Sequence, residues 1–548
     1  MRHPPDNDRG LGRAEPPARR GERLAWRRAL IALASTGGLV AGIALTGGAG
    51  ATPDRAEAAS ALPNIVMIVS DDQTRTLNRE VMPKTHALIA RKGTRFTEAI
   101  ATTPLCCPSR ATMLTGQYAH NHGAVSNRAG YGAMVDKPSV LPEWLREAGY
   151  HTAHLGKFLN GFPGKSAPKE TVAPGWDEWY TLQTPRRYYD YVLSTNGTAQ
   201  KYGRDDAEHL TRVLNTRAAR VIRQSAPDDA PFYLQLDHLA PHVESGFSRR
   251  GRCSGAAVPA PNDEELFVDE PLPKPPGYNE EDVSDKPSFV QGFERLKRKE
   301  RAAIRQRYRC SLASLRAVDR GVKKIVRTLK DVDELDRTVI VYVSDNGYFF
   351  GEHRIRVNKT LPYEEALRVP LAIRVPARYR DFAPRVPVSD APVANIDLAP
   401  TILEWAGAAP CVGDECRTLD GRSLAGLLAG EEPEWAGGRP LLVEFGSGED
   451  RDRTLGVCGY QGVRLRGEIL IDYTSVDDGT GACQAAEERE LYDLAADPYQ
   501  LDNAYPPTPG TPAEASATRL GGLLERLGDC TGVEGRDPEP PDGRSYCE

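Results

Sequence analysis

Four short apolar runs, each closed by a cluster of polar residues, constrain what this chain can fold into more than any other feature of it. Asn64 to Val69 (NIVMIV) leads into Ser70, Asp71 and Asp72, and Thr338 to Val343 (TVIVYV) leads into Ser344, Asp345, Asn346 and Gly347. Phe232 to Leu236 leads into Asp237 and His238, with His242 shortly beyond, and Tyr150 to Leu155 leads into Gly156 and Lys157. Short apolar runs separated by helical stretches are the pattern of an α/β fold, a mostly parallel sheet covered by helices. Ligands of such sheets bind beyond the carboxyl ends of the strands, so the four clusters are expected to meet in one crevice. Helices fill the intervals. Pro142 starts one that Gly149 ends, and Leu312, Leu315, Val318, Val322, Ile325, Val326 and Leu329 recur at three- and four-residue spacing, a stripe that reads as core.

The chain has 548 residues, more than the roughly 250–300 at which a single core stops growing, so two unequal domains are expected. From about Trp435 onward, a strand-like run from Pro440 to Glu444 and a hairpin-like stretch from Val463 to Tyr473, with Gly467 at its turn, predict a small antiparallel domain. Glu244 to Phe293 is acidic and proline-rich with little periodicity, which predicts a long surface loop or insertion. The expected division is 1–58 as export signal and linker, 59–434 as the catalytic domain, 435–505 as the small C-terminal domain and 506–548 as a tail.

A formal net charge of -6 gives no general attraction to nucleic acid or anionic lipid, which leaves function to local sites. Near the N-terminus Arg19, Arg20, Arg23, Arg27 and Arg28 precede an apolar run from Ala29 to about Ala51, followed by small residues suited to cleavage near Ala51 or Ala58. That is an export signal, with the Sec and twin-arginine routes both open. An uncleaved anchor is the competing reading, disfavoured by the glycines and the Ala-rich end. No later segment approaches transmembrane length, so a secreted or extracytoplasmic protein without stable membrane association is expected. Ten cysteines in an exported chain predict disulfides. Nearness suggests Cys411 with Cys416, Cys458 with Cys483, Cys530 with Cys547 and Cys253 with Cys310, with other connectivities open. Cys106 and Cys107 are left over, and adjacent cysteines pair poorly with each other.

Thr103 to Gly116 reads TPLCCPSRATMLTG. Pro108 suits the first position of a helix that Gly116 would stop, with Cys106 just before it. Unpaired N–H groups and partial positive charge at a helix N-terminus favour attack on an anionic ester, and Arg110 adds a full charge. On these grounds alone Cys106 is either a thiolate catalyst or an inert buried thiol.

Cys106-Cys107-Pro108-Ser109-Arg110 followed by Leu114-Thr115-Gly116 resembles the signature C-x-P-S-R-x(3)-L-T-G of the formylglycine-dependent sulfatases. Asp71-Asp72, Gly156-Lys157, Ala240-Pro241-His242, Asp345-Asn346-Gly347, Lys359 before Tyr363-Glu364-Glu365, and Glu490 to Leu494 with Asp497-Pro498 and Asn503 resemble further landmarks in the family's order. DDQ at Asp71, LCCPSR at Leu105, HNH at His120 and GKFLN at Gly156 are most similar to the N-acetylglucosamine-6-sulfatase branch and the related heparan endosulfatases.

The resemblance implies an alkaline-phosphatase-like fold and hydrolysis of sulfate esters to alcohol and inorganic sulfate, on a carbohydrate such as 6-sulfated glucosamine or on aryl sulfates. It implies that the formylglycine-generating enzyme oxidises Cys106, and that the product, with Asp71, Asp72, Asp345 and Asn346, holds one Ca2+, a hard ion suited to oxygen ligands. Arg110 would hold the formylglycine hydrate, Lys157 and Lys359 would grip sulfate oxygens, and His242 would contact the sulfate or protonate the leaving alcohol. One position departs from the pattern. Leu159, followed by Asn160, stands where many arylsulfatases carry a histidine, which leaves His242 as first candidate for the leaving-group acid and Lys359 as second. His120 and His353 are open between rim and structural roles. The same scaffold also admits a phosphonate monoester or phosphodiester hydrolase, and a different class of reading is a non-catalytic sulfated-glycan-binding protein.

Overall fold

A buried strand needs a neighbour for each backbone N–H and C=O, and the apolar runs find theirs in one ten-stranded sheet. In chain order its strands are β1 (Asn64–Ser70), β2 (Thr94–Phe96), β3 (His151–Gly156), β4 (Glu178–Leu182), β5 (Val192–Thr195), β6 (Thr198–Lys201), β7 (Phe232–Asp237), β8 (Thr338–Ser344), β9 (Leu371–Arg374) and β10 (Val388–Ser389). They lie in the order β10-β2-β9-β8-β1-β7-β3-β4-β5-β6. The centre, from β8 through β4, is parallel, while β9 and the β5-β6 edge run antiparallel to their neighbours. The computed structural model describes residues 62–75, 79–163, 171–184, 186–246, 251–380, 385–446, 452 and 454–548. The expected export signal, including Arg27, Arg28 and the run from Ala29, lies outside the described residues. All the described residues fall in a unit spanning Pro53–Glu548.

Alternate residues of β1 face opposite ways. Ile65, Met67 and Val69 join one apolar cluster, Val66 and Ile68 another, which is why the run is apolar throughout. The first cluster is covered by α1 (Cys106–Thr115) and α2 (Leu141–Glu147), the second by α3 (Arg298–Asp331), whose stripe from Leu312 to Leu329 is buried as the spacing predicts. The central strands end level. Ser70 pairs with Ser344, Val69 with Asp237, and Asp237 with Gly156, so the residues that follow all emerge at one edge.

A smaller antiparallel sheet lies in the region where the second domain is expected: β11 (Leu441–Phe445), β12 (Val457–Arg464), β13 (Glu468–Asp477) and β14 (Cys483–Asp493). Past Pro506 the chain forms α4 (Pro512–Leu527), whose Leu520 and Leu527 share an apolar cluster with this sheet. The same cluster takes in Ile100, Tyr118, Phe349 and Tyr363. All four cysteine pairs suggested by nearness are disulfides, and Cys106 and Cys107 are free.

Two expectations need correction. Among its described residues the segment from Glu244 to Phe293 is irregular apart from a turn at Pro261–Asp263 and a short helix at Ser288–Gln291, but it is not simply a surface loop. Val258, Leu272, Val283 and Val290 are buried, Lys286 bonds the Leu501 carbonyl, and the Cys253–Cys310 bridge ties the segment to α3. The nucleophile helix begins at Cys106 itself, two residues before Pro108, with extended Leu105 as its N-cap. Pro108 is tolerated there because the first N–H groups of a helix have no intrahelical acceptor. Gly116 ends the helix in the left-handed conformation as expected. Among the described residues no helix is long and apolar enough to cross a membrane.

Candidate active site

The level strand ends deliver Asp71 and Asp72 from β1, Asp345 and Asn346 from β8, Lys157 from β3 and Asp237 from β7. Asp71 N–H donates to the Ala240 carbonyl (3.2 Å), Asp345 N–H to that of Ser70 (3.0 Å) and Lys157 N–H to that of Asp237 (2.9 Å), so the turns beyond the strands are stitched together. Gly156 lets the backbones approach this closely, since a Cβ there would lie 1.9 Å from the Asp237 carbonyl oxygen. Asp72 adopts φ 67°, a left-handed conformation rare for a residue with a side chain and met at functional sites.

α1 points its first turn into this group. Asn127 accepts the Cys107 N–H (2.9 Å), serving one of the helix's free donors. Cys106, 2% exposed, lies with its Sγ 3.5 Å from Asp71 Oδ1 and accepts from Lys359 Nζ at 2.9 Å. One turn on, Arg110 bonds Asp345 through Nε (2.9 Å) and Asp237 through Nη1 (2.8 Å), with Asp71 at 3.4 Å. Lys157 pairs with Asp71 and Lys359 with Asp72. The Lys359 loop is fixed from outside the large sheet: Thr360, at φ 86°, donates its N–H to the Pro104 carbonyl (3.0 Å), and Tyr460 of β12 donates its hydroxyl to the Thr360 carbonyl (2.5 Å).

These groups perturb one another strongly. Burial alone would raise the Asp71 carboxyl, but Lys157, His242, Arg110 and Lys359 hold it far below the ordinary range. Burial and the Asp71 charge push Asp345 the other way. Burial would strip the proton from Lys157 and Lys359, and Asp71 and Asp72 respectively keep them charged. Burial, then Asp71, raises the Cys106 thiol to about 11, so the unmodified residue is a thiol at neutral pH and a poor nucleophile. His242 is lowered to about 4, chiefly by burial, with Asp72 and Asp71 opposing. Its Nδ1 lies 2.6 Å from the Val243 carbonyl. A carbonyl can only accept, so Nδ1 carries the proton and Nε2, 3.7 Å from Asp72 Oδ2, has a lone pair.

Ligand atoms of Asp71, Asp72, Cys106 and His242 lie within 4.8 Å of one another. Asp72 Oδ2 and Asn346 Oδ1 are buried without a hydrogen-bond partner, and Asn346 Nδ2 donates to Asp72 Oδ1 at 2.8 Å. Unpartnered buried oxygens beside packed carboxylates fit a hard divalent cation. Asp345 is also in the cluster, but its Oδ2 serves Arg110 and its Oδ1 accepts the Asp72 N–H (3.1 Å).

His120 and His353 are each held against a buried carboxylate. His120 bridges Glu444 (3.0 Å) and the Cys530 carbonyl (2.9 Å), and fully buried His353 bonds Glu280 (2.7 Å) and stacks on Tyr363 at 4.2 Å. Asp237 is the residue that sequence reasoning placed at a strand end without a role. Besides Arg110 it accepts from Gln235 Nε2 (2.8 Å), and its Oδ2 lies 3.0 Å from His154 Nε2, off the line of a hydrogen bond. The level register of β1, β7 and β3 is the signal that could have found it.

The cluster opens onto a cavity of ≈ 840 Å³ whose wall includes Cys106, Lys157 and His242. Positive side chains at its floor and room for a sugar-sized molecule suit it to an anionic ester.

The sequence profile described as Sulfatase matches residues 63–408. The chain is 32% identical over 531 residues to the arylsulfatase of Volvox carteri, covering 91% of this chain and 79% of that one. To the N-acetylglucosamine-6-sulfatase of Homo sapiens it is 32% identical over 476 residues, covering 80% of each. In fold it is similar, at a TM-score of 0.67 and 23% identity, to a protein solved in complex with its substrate D-glucosamine-2-N,6-O-disulfate, covering 85% of this chain and 97% of that one.

Proposed function

The chain belongs to the sulfatase family and is a sulfuric ester hydrolase, and from that premise we propose that it acts through a formylglycine made from Cys106, beside one calcium ion, on a carbohydrate sulfate such as 6-sulfated glucosamine or on aryl sulfates. The observation that carries this reading is the gathering of Asp71, Asp72, Cys106 and His242 ligand atoms within 4.8 Å of one another, with Asp345 and Asn346 hydrogen-bonded to Asp72 and with Asp72 Oδ2 and Asn346 Oδ1 left without partners. Asp71, Asp72, Asp345, Asn346 and the modified Cys106 are the proposed calcium ligands.

Once formed, the hydrated aldehyde would supply one hydroxyl to attack sulfur as the alcohol leaves and a second whose deprotonation would restore the aldehyde C=O as the C–O bond to sulfate breaks, dividing one hard displacement into two easier steps. Calcium held by the residues above would supply charge that eases ionisation of the attacking hydroxyl. The chain's own residues do the rest. Arg110, fixed between Asp345 and Asp237, holds the hydrate in position. Lys157 and Lys359 are buried ammonium groups that bind sulfate oxygens and stabilise the charge of the transferring group, more strongly than they would in water. His242 contacts the sulfate, and once protonated at Nε2 it serves the leaving oxygen, with Lys359 as the other candidate acid. We also propose export by the N-terminal signal, supported by four disulfides, which persist in oxidising compartments. Maturation would then require the formylglycine-generating enzyme as partner.

Peptide mass spectrometry of the segment containing Cys106, on protein exported by its host or made together with that enzyme, tests the nucleophile. An aldehyde in place of the thiol is expected, and Cys106→Ala is expected to abolish sulfate release while keeping the fold. Unmodified cysteine despite active maturation, or undiminished turnover by Cys106→Ala, sinks the mechanism.

A further inference from the structure

The charge of the cavity above the active site does not match that of a simple sulfate monoester. At its floor Lys157 is already paired with Asp71, and Lys359 with Asp72. The same cavity is also lined by Arg128 and Arg186, both exposed, and no Asp or Glu is among its described lining residues. Neither arginine has a carboxylate partner among the described residues. A monoester brings one negative charge, which the floor cations and the proposed calcium are placed to receive. Two further guanidinium groups on the same wall are in excess of that need. A guanidinium is a planar fork suited to sulfate or carboxylate oxygens.

The placement of Arg186 is itself costly. Its backbone is left-handed (φ 53°) and held by the Ser245 N–H, which donates to its carbonyl at 2.6 Å. A non-glycine residue kept in that conformation by a fixed contact is the kind of strain met where a side chain has a task.

We infer that Arg128 and Arg186 form a subsite for a second anionic group of the substrate, a sulfate or carboxylate on the same or the next sugar, so that the enzyme selects polyanionic saccharides over singly charged esters. This rests on the hydrolase reading above and narrows its substrate class. The amides of Asn127, Asn160 and Gln183 on the same wall suit the neutral hydroxyls between the two charges.

The test compares kcat/KM for three 6-O-sulfated substrates: N-acetylglucosamine, its N-sulfated counterpart, and a disaccharide that adds a uronic acid. The matured native enzyme is expected to favour at least one doubly charged substrate by about 10- to 100-fold, and Arg128→Ala with Arg186→Ala to bring that ratio near one. Preference for the N-sulfate or for the uronic acid identifies the group. Equal rates on all three, or variants that slow all three alike, overturn the subsite. Calorimetry of the same sugars on Cys106→Ala, with and without the arginine substitutions, separates the two readings. If the matured native enzyme releases no sulfate from any of the three sugars while binding keeps the selectivity, hydrolysis fails and the subsite stands; if turnover is seen but binding does not discriminate, the reverse holds.

Discussion

Arg110 and Arg439 are both arginines buried among carboxylates, but their surroundings are finished differently. Arg439 forks onto Asp397 with two bonds of 2.7 Å and reaches Glu548 through Nε at 2.6 Å. Asp397 also accepts the N–H groups of Ala394 (2.8 Å) and Arg422 (3.0 Å), and the other Glu548 oxygen takes Arg422 Nε at 2.7 Å. No polar side-chain atom of Arg439, Asp397 or Glu548 is orphaned. Around Arg110 the guanidinium is equally well held, yet its neighbours Asp72 and Asn346 each keep an oxygen without a partner. A cluster that satisfies itself stabilises the fold. One that leaves valences open is set up to take something in, and burial makes those open valences expensive until it does.

The contrast breaks first, if it is wrong, at Asp72. Asp72→Asn is expected to lower sulfate release by more than about 100-fold, since a ligand matters more than outer partners worth about 10- to 100-fold. It is also expected to remove the rise in Tm that calcium gives the native protein, about 2.7 kcal/mol at a hundredfold excess over Kd. Calcium that still stabilises the variant would place the ion elsewhere. At the closed cluster the effect should fall on stability instead. Arg439→Met leaves buried Asp397 without its cation and Glu548 with Arg422 alone, and is expected to cost about 3–5 kcal/mol in urea unfolding, with kcat per folded molecule retained. A change in kcat without loss of stability would erase the distinction between the clusters.

Asp237→Asn sharpens it. The amide keeps a hydrogen-bond acceptor for Arg110 but loses the charge, so kcat should fall about 10-fold with KM nearly unchanged and the fold intact. An equal rise in KM would make Asp237 a contributor to binding. A further test concerns His120, whose partner Glu444 belongs to neither cluster. Burial lowers its pKa, but Glu444 more than offsets this and lifts it from 6.5 to about 9. The contribution is therefore complete below 6.5 and lost as pH rises through 9, a decline of about 3 kcal/mol. His120→Gln should flatten that part of the stability profile, and an unchanged slope would assign it to another group.

The sequence carried the site's acidic half plainly because buried parallel strands are continuous apolar runs, and whatever follows them must lie at the sheet's edge. Asp71, Asp72, Asp345, Asn346 and Lys157 were legible in position for that reason, and the helix ending at Gly116 for its glycine. Lys359 and the roles of Lys157, Arg110 and His242 rested on resemblance, since a lone cation carries no signal of its task. The start of α1 was misplaced because Pro108 is tolerated throughout the first turn rather than only at its first position. Irregular segments hid the most. Neither Lys286 and its buried contacts nor the antiparallel β5-β6 edge, short and largely exposed on β6, shows a periodicity that marks it. Asp237 was visible as a residue but not as Arg110's anchor, because that contact joins positions 127 apart along the chain.

Tyr460 gives the molecule an order of completion in time. Its hydroxyl holds the carbonyl beside Lys359, and it lies 100 residues later in the chain. As the protein is synthesised, the carboxylates of β1 and β8, with Arg110 and Lys157, can gather before the smaller sheet exists. The loop that carries the last catalytic cation, tied early to the Pro104 carbonyl, gains its second tether only after β12 has been made and has packed.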